Sequence, residues 1–254
     1  MSRADVWRKH LIPGDVHDKR KLYRNIIQQF PYTIPNKASV EIARDLPRTS
    51  DHVDEEVLET LLHQYVQILP CDGYLQGFNY IVNTLYHVFS KDDQEHAMAD
   101  TWWAATTVIG IIRPMIPDHD PDDYARYTQK WGKHYIKHIQ KNSPRTHAWL
   151  TPFYASILPT ITVKWLMIWF TQMFDLDNCL VIWDALVTCE PQERTKLMAI
   201  IAANITIQHS DSIETWSREA PSEIGPRLLS VKAKDAGVII DVCRDYMVRY
   251  TMPF

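Results

Sequence analysis

Two short polar segments of the sequence could do chemistry on a partner molecule. The first, IARDLPRT at residues 42–49, carries Arg48 directly after Pro47. Proline fixes φ and removes a backbone donor, so a stiff loop would present the arginine outward at low entropic cost. Ile42 can anchor this loop in the core, and Asp45 can accept hydrogen bonds from loop amides. Taken alone, Arg48 would more often be an ordinary surface arginine.

The second segment, DGYLQGFNYI at residues 72–81, carries Gln76 between two glycines. Gly73 permits a tight turn into a helix that should begin near residues 74–76, and Gly77 lets another backbone come close to Gln76. The free amide groups of a helix N-terminus there would favour a nearby phosphate. Taken alone, Gln76 would more often be an ordinary first-turn helix residue.

The two segments flank a predicted helix over residues 55–69, which could keep them apart. A rise of about 1.5 Å per residue makes that helix about 22 Å long. If residues 49–54 are extended, at about 3.3 Å each, they can run back about 20 Å along it. We therefore predict that Arg48 and Gln76 can converge.

Other common chemistries have weak support. Neither a G-x-x-x-x-G-K-[ST] loop nor a G-x-G-x-x-G loop is present, so the chain should bind no nucleotide unaided. His134 and His138 have the i, i+4 spacing of metal ligands, but the glutamate of H-E-x-x-H is missing. The acidic run DHDPDD at residues 118–123 lacks the glycine and the final glutamate of a calcium loop, which favours a solvated helix cap. We expect no metal site and no cofactor of its own.

Composition narrows the possible partners and the compartment. The 254 residues carry a formal net charge of −4, which gives no indication of a nucleic-acid tether or a polybasic membrane patch, so a partner must be recognised locally. The four cysteines, Cys71, Cys179, Cys189 and Cys243, form no C-x-x-C pair and indicate free thiols in a reducing compartment. With neither a signal peptide nor a membrane span in view, we expect a cytoplasmic protein.

The pattern of apolar residues predicts an all-α fold. Only 7 glycines occur, and apolar residues recur every three or four positions. Pro35 should keep the residues after it from being helical. Helices are predicted over residues 5–12, 15–29, 55–69, 76–89, 94–112, 122–141, 149–158, 163–174, 176–188, 192–206, 222–231 and 233–248. No linker is long or polar enough to mark a boundary, so we predict one irregular multi-helix domain over residues 1–254.

Both polar segments resemble motifs of the TBC-domain family of Rab GTPase-activating proteins, namely I-x-x-D-x-x-R and Y-x-Q-G. The similarity extends to LETLLHQYVQILPCDGYLQGFNYI, to LVIWDALV at residues 180–187 and to VWRKHLI near the start. Three departures stand beside it. The stretch between the two motifs is shorter than is usual in the family, Val181 replaces a frequent arginine, and the opening R-G-[IV]-P segment is missing.

The resemblance implies an all-helical TBC-like domain that acts on a Rab-type GTPase in its GTP-bound state during vesicle trafficking. Arg48 matches the arginine finger and Gln76 the glutamine finger, both inserted in trans, so the chain would activate a hydrolase without being one. Asp45, Tyr74 and Gly77 match supporting positions, and Asn79 could touch the partner. The GTPase would bring GTP and magnesium. Contact with endomembranes would be indirect, through the lipid-anchored GTPase.

Two rival interpretations remain open at this stage. A catalytically inactive TBC-like scaffold could hold a small GTPase or another trafficking partner without accelerating hydrolysis. The presence of both Arg48 and Gln76 argues against it, since a simple binder has no need for that pair. Alternatively, the motif match is accidental and the chain is a helical structural protein, which would predict no interaction with a GTPase.

Overall fold

A computed structural model describes residues 1–29, 37–49, 52–68 and 73–251, with side chains up to residue 245. Throughout these residues the chain forms helices and turns and no strand, which confirms the all-α prediction. In the described part, no helix is both long and apolar enough to cross a membrane. The backbone separates into two compact units, Met1–Ile111 and Ile112–Phe254. The single domain over residues 1–254 stays a prediction.

The first unit contains six helices within the described residues. They are α1 (Arg3–Leu11), α2 (Val16–Gln29), α3 (Lys37–Asp45), α4 (Glu55–Ile68), α5 (Phe78–Asp92) and α6 (Ala97–Ile112). A capping box between Ser2 and Asp5 starts α1, which satisfies two backbone donors at once. In α4 the apolar stripe is buried as its spacing predicts, with Leu58, Leu61 and Leu62 each at most 2% exposed.

A buried ion-pair network links α1, α2 and α6. The Asp100 carboxylate is 0% exposed and accepts from Arg8 Nε at 2.7 Å and from Arg20 Nη2 at 2.6 Å. Arg8 also reaches Asp92 at 2.7 Å, and Arg20 reaches Asp93 at 3.3 Å. Removing one member of such a network leaves a buried charge without compensation, so the network fixes how these helices pack.

The second unit contains the remaining helices. They are α7 (Pro121–Asn142), α8 (Pro144–Leu150), α9 (Tyr154–Ile161), α10 (Leu176–Thr188), α11 (Pro191–Ile207), α12 (Ser210–Glu219), α13 (Ile224–Ser230) and α14 (Ala236–Thr251). Helix α7 packs mainly on α11 and also on α8, while α10 packs on α14. Asp120 caps α7 by accepting from the amides of Asp122 and Asp123, which confirms that the acidic run is a helix cap.

Several predicted helices differ from the structure. The prediction of a helix over 163–174 is wrong: a single π turn, Thr162–Leu166, is followed by irregular turns in which Trp169 and Phe170 have φ of 48° and 63°. Both of these aromatic side chains are fully buried, and Trp183 Nε1 donates to the Trp169 carbonyl at 3.2 Å. Helices α3, α8 and α12, each ten residues long or shorter, were not predicted.

Candidate functional site

The arginine of the first polar segment lies on a short turn after a helix. Residues 37–45 form α3, so the prediction that Pro35 prevents a helix here and that the segment is a loop is wrong. The apolar face of α3 explains the helix, since Ile42 is 0% exposed and Leu46, four residues later, is 6% exposed. Pro47 then converts the chain to the 3-10 turn Leu46–Arg48, and the Arg48 side chain is exposed.

Gln76 lies on a turn that two glycines shape. Gly73 and Gly77 have φ of 61° and 95°, which is the left-handed region that favours glycine. Helix α5 begins at Phe78 with Gly77 as its N-cap, slightly later than the predicted start near residues 74–76. Phe78 is buried and its ring lies 4.7 Å from that of Tyr65, which anchors the helix start and leaves Gln76 exposed before it.

A hydrogen bond from Tyr74 to Asp45 joins the two segments. The Tyr74 hydroxyl donates to Asp45 Oδ2 at 2.9 Å. Burial and this neighbouring carboxylate together raise the pKa of Tyr74 well above its usual value. The Asp45 side chain does not cap the 3-10 turn Leu46–Arg48, contrary to the expectation that it accepts from loop amides. It accepts instead from Tyr74 of the second polar segment.

The first turn of α5 holds the backbone of the arginine turn. Asn79 is 0% exposed, and its Nδ2 donates to Thr49 Oγ1 at 2.7 Å and to the Asp45 carbonyl at 3.4 Å. Thr49 Oγ1 itself donates to the Asp45 carbonyl at 3.0 Å. The Tyr80 hydroxyl donates to the Arg48 carbonyl at 3.1 Å. Side chains that follow Gln76 therefore fix the main chain on both sides of Arg48.

These contacts produce one open cleft with a volume of about 430 Å³. Its lining residues are Glu41, Arg44, Asp45, Arg48, Tyr74 and Gln76. The predicted convergence of Arg48 and Gln76 is thus confirmed, although residues 50 and 51 of the predicted return path lie outside the described chain. The lining includes two acidic and two basic side chains, and Arg48 and Gln76, both exposed, share the surface of the cleft.

Of the supporting residues predicted from the sequence, Asp45 and Tyr74 line the cleft, whereas Ile42, Gly77 and Asn79 do not. Ile42 and Asn79 are fully buried, and Gly77 is buried as well. They lie behind the surface of the cleft and set its shape. The expectation that Asn79 touches the partner therefore has no support, because Asn79 has no exposed atom with which to make the contact. Cys71 and Asp72 fall outside the described residues. Within the described part of the chain, no group of three His, Cys, Asp or Glu is arranged to hold a metal ion.

Sequence reasoning missed Thr49 and Tyr80 as residues that hold the arginine turn, and Glu41 and Arg44 as lining residues. A signal for Thr49 exists, since a threonine four residues after a helical carbonyl commonly donates back to it. Tyr80 has no such local signal because its partner is 32 residues away in the chain. Glu41 and Arg44 became predictable only once α3 was known to be a helix.

Comparison with known proteins adds independent findings. A family model described as the Rab-GTPase-TBC domain matches residues 2–213. The mouse and human proteins named TBC1 domain family member 13 are each 32% identical over 136 residues, which is 52% of this chain and 33% of each relative. The crystal structure of the Ypt/Rab-GAP domain of Gyp1p matches with a TM-score of 0.69 at 16% identity, covering 98% of this chain and 88% of that one.

Proposed function

Because the chain belongs to the Rab-GTPase-TBC domain family, we propose that it accelerates GTP hydrolysis by a Rab-type small GTPase. Membership of this family supports a Rab-GAP-like role, and it confirms the family resemblance that the sequence motifs indicated. The proposal adds the mechanism: Arg48 and Gln76 enter the partner's nucleotide site in trans. The matched region is a third of the length of the curated relatives, so the activity is argued from this chain's own residues.

The observation that carries the proposal is the shared cleft. Arg48 and Gln76 are both exposed and both line it; Asn79 holds the turn that carries Arg48, and buried Phe78 anchors the helix that begins just after Gln76. Catalytic groups that act on a partner must be accessible and must also be ordered, because their orientation entropy otherwise adds to the barrier. An ordinary surface arginine and an ordinary surface glutamine have no need for the Asp45–Tyr74 and Thr49–Asn79 bonds.

The chemistry of the two side chains matches what phosphoryl transfer requires. Charge develops on the oxygens of the transferred and leaving groups, and an arginine guanidinium can stabilise it. The attacking water must be held in line, and a carboxamide can accept and donate hydrogen bonds to hold it. The GTPase supplies GTP and magnesium. The chain needs only to bind the GTP-bound partner, exclude water other than the attacking molecule, and place Arg48 and Gln76.

Supporting residues then have definite tasks in this proposal. Ile42 anchors α3 in the core. The Asp45 carboxylate accepts a hydrogen bond from the Tyr74 hydroxyl, which holds together the turns that carry Arg48 and Gln76. Gly77 permits the left-handed turn that directs Gln76 outward. Asn79 orders the turn that carries Arg48. We place this activity in the cytoplasm, at endomembranes that carry the partner GTPase.

Single-turnover GTP hydrolysis by a panel of Rab proteins, with and without this chain, tests the proposal. An arginine finger contributes about 10³- to 10⁵-fold to the rate, so Arg48→Ala should abolish the acceleration of the responsive Rab. Arg44→Ala is the matched control, since it removes the same charge from the same cleft. It should change the rate only a few-fold. Gln76→Ala should lower the rate whether or not the partner's own glutamine has been replaced.

Three outcomes contradict the proposal. If a Rab binds in its GTP form but its hydrolysis is unchanged, the chain is a scaffold and Arg48 is a contact residue. If Arg44→Ala slows hydrolysis as much as Arg48→Ala, the cleft acts through its general charge and not through a finger. If no Rab in the panel binds, the partner is of another kind.

A further inference from the structure

Helix α7 carries four lysines along one line. Lys130, Lys133, Lys137 and Lys141 follow one another at intervals of three and four residues, and all four are exposed. At about 100° per residue they fall within an arc of about 80°, and their Cα atoms span about 16 Å along the helix axis. We call these four residues the basic stripe.

The opposite face of α7 fixes the direction in which the basic stripe points. Trp131, Tyr135 and Ile139 are each 0% exposed, and they recur every four residues on the side that packs on α11. The Tyr135 hydroxyl bonds to Thr206 Oγ1 of α11 at 2.8 Å. Rotation of the helix would break this packing, so the lysines cannot turn inward.

The positive charge of the basic stripe is not compensated. No acidic residue occurs between residues 125 and 142, and the ion pairs of the described residues do not include any of the four lysines. Among the neighbouring charges, Arg126 pairs with Asp123 and Lys196 of α11 pairs with Glu193 at 3.1 Å, while Arg145 and Arg218 share Glu214. The positive potential therefore belongs to the four lysines.

Two histidines flank the basic stripe and face α11. Burial, reinforced by nearby lysines, lowers the pKa of His134, and burial likewise lowers that of His138 despite a hydrogen bond that His138 donates to Asn204. Both are therefore neutral near pH 7 and add no charge. Successive lysines are about 4.5 to 6 Å apart along the axis, which is less than the Debye length of about 8 Å at physiological salt. Their fields add.

The side-chain chemistry distinguishes among anionic partners. All four residues are lysines, which act as hydrated point charges, whereas arginines suit the bidentate recognition of individual phosphates. None of the large exposed apolar side chains of the described residues lies on α7, so neither an apolar anchor nor an aromatic platform for bases accompanies the charge. A straight, wholly polar row of charge suits a flat and diffuse anionic surface.

We infer that the basic stripe docks this chain on an anionic lipid surface by electrostatic attraction. This binding is direct, whereas the family resemblance implied only indirect membrane contact through the GTPase. The overall net charge of −4 gave no indication of it, because the four lysines are concentrated locally on one helix. It does not rest on the proposed GTPase activity, because α7 lies in the second unit and the cleft in the first. Each lysine near such a surface contributes about a fivefold increase in partitioning.

Co-sedimentation of the full chain with vesicles tests the inference. Vesicles of phosphatidylcholine alone should bind nothing, and vesicles that also contain phosphatidylserine should bind the chain at about 0.1 M salt and release it at about 0.5 M. Replacing all four lysines by glutamine should lower partitioning at least tenfold. Replacing them by arginine should preserve binding, since the charge is kept.

A matched control carries the same loss of charge elsewhere. Lys9, Lys21, Lys91 and Lys234 are exposed and scattered, and their joint replacement by glutamine should leave most of the binding intact. Circular dichroism and thermal unfolding establish that each variant is folded.

The inference is overturned if phosphatidylserine vesicles do not bind the chain, or if the stripe variant and the scattered variant lose binding equally. It is also overturned if a double-stranded oligonucleotide binds the chain through these lysines while the vesicles do not.

Discussion

Replacing Thr49 by valine should loosen the turn that carries Arg48. Valine has nearly the shape of threonine but lacks the hydroxyl, so the change removes two bonds and little else. The hydroxyl donates to the Asp45 carbonyl at 3.0 Å and accepts from Asn79 Nδ2 at 2.7 Å. Asn79 is fully buried, and its remaining described contact from Nδ2 is the 3.4 Å contact with the Asp45 carbonyl.

The expected cost follows from these two bonds. A typical intramolecular hydrogen bond contributes about 1 kcal/mol, and a buried donor left poorly bonded costs about 1 to 3 kcal/mol. Because Asn79 keeps a weak contact, we expect Thr49→Val to lower the free energy of unfolding by about 2 kcal/mol. A displacement of about 1 Å at the finger can cost about 100-fold in rate, so GTPase activation should fall by at least tenfold.

Two assays measure the two effects. Urea unfolding followed by tryptophan fluorescence gives the loss of stability, and single-turnover hydrolysis with the responsive Rab gives the loss of activation. Thr49→Ser is the control, since serine keeps the hydroxyl and should retain most of both. A double-mutant cycle with Asn79→Ala should show a coupling of about 1 kcal/mol or more between the two side chains.

The reasoning is refuted if Thr49→Val unfolds at the same urea concentration as the unmodified chain. It is refuted equally if Thr49→Ser loses as much stability and activation as Thr49→Val, because serine keeps the hydroxyl and the loss could then not come from the two hydrogen bonds.

Three further predictions concern single residues. The raised pKa of Tyr74 means that, above about pH 10, the folded chain keeps the phenol proton that the unfolded chain loses. The free energy of unfolding should therefore fall as the pH rises above about 10, by up to about 1.4 kcal/mol per pH unit. Tyr74→Phe should show a shallower decline in urea titrations at high pH, and an equal slope would contradict the assignment. Asp100→Asn should destabilise the chain by about 3 to 5 kcal/mol, because two arginines lose their buried anion, and a melting temperature that does not change would exclude the network as a packing determinant. Gly77→Ala should cost about 1 to 2 kcal/mol in its left-handed conformation and reduce GTPase activation, whereas Gly110→Ala, in an open helical position, should be neutral or stabilising in the same unfolding assay.

Local rules predicted the elements whose stability is mainly local. Helix α10 occupies the predicted residues 176–188, since Asp175 caps it and apolar residues repeat at helical intervals. The apolar stripe of α4 and the acidic cap of α7 followed from the same reasoning. By contrast, the predicted helix over 163–174 failed because burial of Trp169 and Phe170 outweighs helix propensity there, and burial depends on residues far away in the chain.

The sequence by itself determined the chemistry of the candidate site. The types and spacing of Ile42, Asp45, Arg48 and Gln76, together with the glycine after Gln76, carried both the family resemblance and the choice of fingers. Side-chain identity and the restrictions that proline and glycine place on φ are local properties, so they can be read without a fold.

Only the tertiary structure decided how Arg48 and Gln76 are held in one cleft. Tyr74 bonds to Asp45 29 residues away, Asn79 bonds to Thr49 30 residues away, and Tyr80 bonds to Arg48 32 residues away. No local pattern encodes such pairings, because each exists only when α3, α4 and α5 pack together and bring polar atoms within about 3 Å. In the second unit, the packing of α7 on α11 buries the aromatic face of α7, and this leaves the four lysines in solvent.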